Sequence, residues 1–359
     1  MDSYTLLGSL VLPDRIVPDG VLEVENGVIK YAGRACGTSV PHGARRVDGL
    51  IAPGFVDIHC HAGGKFYCHD NPRAVAAHHL AHGTTSMLFT MYRRIPIADM
   101  LKHTLEIKEL LPELPNVLGV HLEGPYLNPD YGSGIGVETP VREEEYMPLC
   151  ETGIVRQWTC APEMSGTEKF IRDITSRGIV SSIGHSCASP ENVALAADAG
   201  ATLVTHLFDA TGNAISPTRY GGTLEVSFDS AVLAHDGFFY EIICDKNGVH
   251  VRPDMVKLAI KTAGIDRIVG ITDCCTGSED DSDVNFFGGE LVGSKMTMDK
   301  AARNFYALGL SVPDVFRVCS LNPAGAIHAD GEIGSLEAGK RADVIVVDGE
   351  LNLLEVLKA

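Results

Sequence analysis

Apolar and polar positions change rhythm twice along this chain. Val21-Leu-Glu-Val-Glu-Asn-Gly-Val-Ile-Lys30 alternates on both sides of Asn26-Gly27, the pattern of two strands joined by a tight hairpin turn. Residues 1 to about 52 are rich in such short β signals. The chain's end behaves the same way: the turn-rich run Gly334–Asp343 leads into Val344-Ile-Val-Val347, a short buried strand. From Pro53 the rhythm becomes strand, loop, helix, repeated. Near-continuous apolar runs predict strands at Phe55–His61, Thr84–Tyr92, Val117–Glu123, Ile154–Ala161, Ile179–His185, Thr202–Phe208, Phe239–Cys244 and Arg267–Asp273. Between them lie helix-like stretches such as Arg73–Ala81, Ala98–Leu110, Glu168–Arg177, Glu191–Ala199 and Pro253–Ala263. Ser189-Pro190-Glu191 places a capping side chain before a proline at the first helical position, and Gly200 and Gly178 close two of these helices.

Eight buried strands alternating with helices imply an α/β fold whose parallel sheet is covered by helices, and eight is the count that closes a (β/α)8 TIM-type barrel. The expected organisation is a catalytic barrel over 53–329 and a small β-sandwich domain built from both termini, 1–52 plus 330–359. A doubly wound open sheet is the structural alternative. It does not usually bring polar residues from so many strands to one point. No internal repeat or low-complexity segment is visible.

Composition narrows the class. With 359 residues, 45% of them hydrophobic and 21% charged, the chain is too apolar for disorder. No run approaches the ~20 apolar residues of a membrane helix. The opening Met1-Asp2-Ser3-Tyr4 lacks the basic flank of a signal peptide. A net charge of −18 argues against nucleic-acid or anionic-membrane surfaces as partners. Ten cysteines without paired spacings read as reduced, mostly buried thiols. The expectation is an acidic, soluble, cytoplasmic protein.

The chemistry gathers at the C-terminal ends of the predicted strands, where barrels build function. His59 and His61 end the first strand, Glu123 the third, His185 the fifth, His206 the sixth and Asp273 the eighth. A two-residue strand period turns His59 and His61 to one face. Imidazole and carboxylate are the donors a borderline divalent cation takes, and burying so many unpaired polar groups costs several kcal/mol unless something satisfies them. One lone histidine is more often a satisfied core residue, so the weight rests on the constellation. Asp57 also faces inward by period, one step deeper, and is expected to serve as a structural hydrogen-bonding group. Glu163 is assigned to fixing its own loop. Cys274 and Cys275 are soft potential ligands, for which packing is the commoner role. His78, His79, His82 and His103 are assigned to helices without function.

These residues carry a resemblance. Pro53-Gly-Phe-Val-Asp-Ile-His-Cys-His61 is similar to the first-strand motif of the amidohydrolase superfamily. Within it, His121-Leu-Glu-Gly-Pro-Tyr-Leu-Asn-Pro129, Gly184-His185-Ser186, Thr205-His-Leu-Phe-Asp-Ala210, Gly248-Val-His250 and Thr272-Asp273 resemble the N-acetylglucosamine-6-phosphate deacetylases. The resemblance implies a barrel enzyme, often a homodimer, acting on a small N-acetylated molecule. Glu123, His185 and His206 would hold the principal metal; His59 and His61 would allow a second, bridged by Glu123. Zinc comes first among the metals, with iron, manganese and cobalt open, as one ion or two. Asp273 would be the general base and acid, and His250, Asp209, Ala210 and Arg219 would face the substrate. Three positions depart from the pattern. Ile135 stands where the family has a carbonyl-polarising histidine, Asp209 where it has an asparagine near the phosphate, and Pro217 where it has a phosphate-binding arginine, with Arg219 two positions later.

The expected reaction is metal-assisted hydrolysis of an N-acetyl amide, with an amino-sugar 6-phosphate as the leading substrate. A deacylase of an unphosphorylated N-acetyl sugar or of an N-acyl amino acid is the alternative. Cyclic amidases bridge their metals with a modified lysine at the end of strand four, and Ile154–Ala161 contains none. A deaminase shares only the ligand types. An inactive barrel kept for binding would be expected to have lost a ligand or the base.

Overall fold

The computed structural model describes residues 3–35, 43–133, 138–215, 218–277, 280 and 282–359. Four strands open the chain: β1 (Tyr4–Val11), β2 (Ile16–Glu25), β3 (Val28–Arg34) and β4 (Arg45–Pro53). The β2–β3 turn falls on Asn26 and Gly27 with φ of 53° and 77°, the left-handed pair a two-residue hairpin demands. Besides two short two-stranded ribbons, eight barrel strands then follow: β5 (Phe55–Cys60), β6 (Thr84–Tyr92), β7 (Val117–Glu123), β8 (Val155–Cys160), β9 (Val180–Ile183), β10 (Leu203–Val204), β11 (Phe239–Ile243) and β12 (Ile268–Ile271). They lie side by side in chain order and pair in parallel. The ring closes where Asp273 N–H donates to His59 O (2.9 Å) and His61 N–H donates to Cys274 O (2.9 Å). This is the closed barrel; the open-sheet alternative is excluded.

Helices α1 (Pro72–Ala81), α2 (Ile97–Leu110), α3 (Glu143–Glu151), α4 (Thr167–Thr175), α5 (Pro190–Ala199), α6 (Phe228–Leu233), α7 (Pro253–Ala263) and α8 (Met298–Ala307) follow the barrel strands. Ser189 Oγ accepts the Asn192 N–H at the start of α5, and Gly200 ends that helix at φ 113°, as its sequence predicts. The last strands, β13 (Val344–Val347) and β14 (Leu353–Leu357), return to the beginning of the chain. They complete a six-stranded mixed sheet in the order β14-β13-β4-β1-β2-β3, so both termini share one β unit. Its own core includes Leu6, Leu10, Leu22, Ile29, Leu336 and Val344. Among the described residues no helix is long and apolar enough to cross a membrane.

Inside the barrel the chemistry is layered. At the base, Val56, Ile58, Leu88, Val180, Leu203 and Val269 meet one another and are packed by Ala324, Ile327 and Ile333. Above them lies a wholly buried polar layer. Thr159 Oγ1 bonds Thr205 Oγ1 (2.9 Å), Ser182 Oγ bonds Thr205 Oγ1 (2.5 Å), and Gln157 Nε2 donates to Glu241 Oε1 (2.8 Å). Buried polar groups cost free energy unless partnered, and most of these partner one another, the Gln157 Oε1 atom being left without a partner among the described residues. The mouth lies above this layer.

One inward assignment changes. The β5–β6 register shifts between Asp57 and Cys60, so the two-residue alternation does not run through β5. Val56 and Ile58 belong to the apolar base, whereas Asp57 is grouped with Cys60 and with His79 of α1. Asp57 still has the structural role expected of it. Its carboxylate accepts Thr272 Oγ1–H (2.6 Å) and the His59 N–H (3.3 Å), tying β5 to the end of β12.

Candidate functional site

The mouth is built by residues at or just past the strand ends. Glu123 is the last residue of β7, and His185, His206 and Asp273 stand beyond the ends of β9, β10 and β12. Those last three have φ of 48°, 25° and 45°. Non-glycine residues rarely adopt this left-handed region, at a cost of roughly 1–3 kcal/mol each, and such strain clusters at functional sites. Here it ends strands predicted to be longer and lets each side chain turn into the mouth.

Three ligand atoms converge. His185 Nε2 stands 2.9 Å and His206 Nε2 3.1 Å from Glu123 Oε1, and the two Nε2 atoms are 3.0 Å apart. The other ring nitrogens are taken: His185 Nδ1 donates to Tyr131 O (3.1 Å) and His206 Nδ1 to Asp209 O (3.2 Å). A proton fixed on Nδ1 leaves a lone pair on Nε2. Two lone pairs and a carboxylate oxygen pointed at one another repel unless a proton or a metal cation lies among them. Burial disfavours positive charge there, but Glu123 favours it and raises the His206 imidazole to about 9. Separations near 3 Å are also about the edge of a coordination shell with bonds of about 2.0–2.2 Å. The donor set therefore fits a single divalent ion.

A second group adjoins it. His59, His61 and Glu123 offer ligand atoms within 4.8 Å of one another, as do His61, Asp273 and Cys275. His61 Nε2 is 3.1 Å from Asp273 Oδ1 and 3.4 Å from Glu123 Oε2. Buried His59 Nε2 and His61 Nδ1 have no hydrogen-bond partner among the described residues. Burial pushes the Glu123 carboxyl up, but positive charge on the neighbouring His185 and His59 imidazoles outweighs it and holds it well below the ordinary carboxylate range. Asp273 is likewise held low, burial being outweighed by His59 and His61.

Two buried residues of this site were given no role from the sequence. Glu241 Oε2 meets His59 Nδ1 at 2.9 Å, so a carboxylate orients this imidazole from below. His121 lies between Thr90 Oγ1 (3.2 Å) and Thr159 Oγ1 (2.8 Å), its ring edge-on to His59 with centroids 4.5 Å apart. Burial and the neighbouring His59 hold its pKa well below the usual histidine value. The available signals were a charged residue in the apolar run Phe239-Tyr-Glu-Ile-Ile243 and a histidine two positions before Glu123 on β7.

The substrate-side candidates are placed differently from one another. His250 is buried, with Nδ1 3.1 Å from Asp245 Oδ2 and Nε2 3.0 Å from Gly293 O. Asp209 and Ala210 are half-buried in the turn after His206, with Ala210 at φ 52°. Arg219 is largely exposed and pairs with Glu225 (3.3 Å). Ile135 and Pro217 lie outside the described residues. Glu163 accepts Ser186 Oγ–H (2.6 Å), Cys187 N–H (2.9 Å) and Asn128 Nδ2–H (2.8 Å), binding together the loops beside His185. His79 is wholly buried, 3.1 Å from Cys60 Sγ and 2.8 Å from Ala62 O, so it packs α1 onto the end of β5.

The family model described as "Amidohydrolase family" matches residues 50–358. The chain is 28% identical over 346 residues to an N-acetylglucosamine-6-phosphate deacetylase of Bacillus subtilis, covering 86% of this chain and 83% of the relative. It is 30% identical over 335 residues to an N-acetylgalactosamine-6-phosphate deacetylase of Escherichia coli O157:H7, covering 86% of each. The crystal structure of N-acetylglucosamine-6-phosphate deacetylase from Pasteurella multocida superposes with a TM-score of 0.86 at 26% identity, over 99% of this chain and 98% of that one.

Proposed function

The chain belongs to the amidohydrolase family and is a hydrolase, and from that premise we propose that it deacetylates an N-acetylamino sugar 6-phosphate, N-acetylglucosamine-6-phosphate first. One observation carries the metal-dependent part of this reading. His185 Nε2, His206 Nε2 and Glu123 Oε1 converge within 3.1 Å while both Nδ1 atoms are engaged elsewhere. The barrel, 53–329, carries the chemistry, and 1–52 with 330–359 frames it. Glu123, His185 and His206 would hold one divalent cation, with zinc the leading choice; His59 and His61, sharing Glu123, would hold a second. When bound, such a cation polarises a carbonyl and lowers the pKa of water from about 15.7 to about 7.

The remaining work falls to the chain's own side chains. Asp273, ionised beside His61, accepts the proton of the attacking water. It then delivers that proton to the nitrogen, because an amine leaves only when protonated. Glu241 and Gln157 hold His59 in place, and the Tyr131 and Asp209 carbonyls do the same for His185 and His206. His250, fixed by Asp245 and Gly293, borders the mouth on the substrate side, together with Asp209 and Ala210. In this reading the enzyme is a cytoplasmic homodimer.

A second reading keeps the reaction and changes the substrate. Arg219 is paired with Glu225, and a carboxylate, Asp209, follows His206, where it would repel a phosphate dianion. Those two features favour an unphosphorylated N-acetyl sugar or an N-acyl amino acid. Acetate release from N-acetylglucosamine-6-phosphate, N-acetylgalactosamine-6-phosphate, their unphosphorylated forms and N-acetyl amino acids decides between them. The proposal expects the highest kcat/KM on a 6-phosphate. Turnover of unphosphorylated compounds alone overturns the substrate, and turnover of none overturns the reaction.

A further inference from the structure

We propose that Cys275 is a metal ligand, its thiolate joining His61 and Asp273 in the group that adjoins His59 and Glu123 in the mouth. This rests on the metal-dependent reading above. The Cys275 sulfur, a His61 ring nitrogen and an Asp273 carboxylate oxygen all lie within 4.8 Å of one another. Ligands on one tetrahedral ion, with bonds of about 2.3 Å to sulfur and about 2.0–2.1 Å to nitrogen, stand roughly 3.5 Å apart. His61 is almost wholly buried, and its Nε2 stands 3.1 Å from Asp273 Oδ1 while its Nδ1 has no hydrogen-bond partner among the described residues.

The backbone holds this corner firmly. Cys275 N–H donates to Ser294 O (2.8 Å), and the preceding carbonyl, Cys274 O, accepts the N–H groups of His61 (2.9 Å) and Ala62 (2.8 Å). Gly293, at φ 54°, passes so close that a Cβ there would sit 2.9 Å from Cys275 Sγ and 3.3 Å from Asp273 Oδ2. The segment Glu290–Ser294 thus presses thiol and carboxylate into the same corner. Cys274 contrasts with it: its side chain is buried and packs in the core, with Sγ 3.8 Å from Cys275 O.

A thiolate changes what the site accepts. Sulfur is a soft donor that suits zinc, iron, cobalt and cadmium, and disfavours magnesium, calcium and manganese. The metal replaces the thiol proton, which leaves to solvent, so no oxidant or reductant is involved.

The test strips the full-length protein with a chelator and reloads it with excess cobalt(II). The wild type is expected to show a near-ultraviolet thiolate-to-cobalt charge-transfer band beside the visible bands of a histidine–carboxylate site. Cys275→Ser is expected to lose the former and keep the latter, and Cys274→Ser to keep both. A cobalt-loaded wild type without the charge-transfer band, or a band that survives Cys275→Ser, overturns the proposal. Visible bands alone refute the thiolate while leaving the metal-dependent reading intact; no cobalt binding at all refutes both. Should Cys275→Ser fail to fold, wild-type protein is alkylated with iodoacetamide with and without cadmium, and Cys275 is followed by mass spectrometry. Protection by cadmium supports ligation, and unchanged labelling overturns it.

Discussion

Glu241 Oε2 stands 2.9 Å from His59 Nδ1, and neither side chain has measurable exposure to solvent. A buried carboxylate facing one nitrogen of an imidazole fixes its proton there and aims the other nitrogen at the mouth. Glu241→Gln removes the charge with little change in shape. It is expected to weaken binding of the second cation about 10–100-fold, the usual effect of losing such a partner. Titration of the stripped protein against a competing chromophoric chelator reads this directly. Unchanged affinity would mean that His59 does not bind metal.

Asp273→Asn is expected to lower kcat by about 10²–10⁴-fold, the contribution of a positioned acid–base group. The cation at Glu123, His185 and His206 should remain, so metal content and turnover separate. Turnover within a few-fold of wild type would remove Asp273 from the proton-transfer role.

Gly132 lies against His185. It adopts φ 102°, and a Cβ there would sit 2.5 Å from His185 Nδ1 and 2.7 Å from Cε1. Gly132→Ala must therefore displace the imidazole or the Tyr131 carbonyl that orients it. We expect a loss of about 1–3 kcal/mol from backbone strain and crowding, with reduced metal retention. Denaturation with and without metal checks both, and wild-type behaviour in both would show that the loop does not position His185.

The Asp245–His250 pair makes stability depend on pH. Burial raises the Asp245 carboxyl, but His250 and the Val249 and His250 N–H groups outweigh it and hold it at about 2, below its ordinary 3.8. Its contribution is complete above pH 3.8 and fades as pH falls toward 2. Burial lowers the His250 pKa, but Asp245 outweighs this and raises it above 6.5, so that contribution is complete below pH 6.5 and fades as pH rises through the higher value. The urea midpoint of wild type should therefore exceed that of Asp245→Asn most between about pH 4 and 6.5. A loss of about 1–3 kcal/mol is expected there, as for a buried group left unpaired. A pH-independent difference would contradict the pairing.

Much of this was legible because it depends on local pattern. The eight barrel strands are continuous apolar runs and five of the helices between them could be placed, two by their glycine stops, whereas α3, α6 and α8 were not named from the sequence. The convergence of His59, His61, Glu123, His185, His206 and Asp273 followed from their shared position at strand ends. What could not be read depends on registers and cross-strand neighbours. The slip within β5 turns Asp57 away from the interior, and no alternation rule marks it. Glu241 looks like an ordinary strand residue until β11 is placed across the barrel from His59. The left-handed backbone at His185, His206 and Asp273 is imposed by tertiary packing, so the predicted strands overran their ends.

The proposed reaction depends on a cation held among Glu123 Oε1, His185 Nε2 and His206 Nε2. Crystals grown with zinc and measured on both sides of the zinc absorption edge test it most directly. An edge-dependent anomalous peak bonded to those three atoms at about 2.0–2.2 Å is the predicted result. No such peak, in zinc-soaked crystals with the three side chains in place, would contradict it.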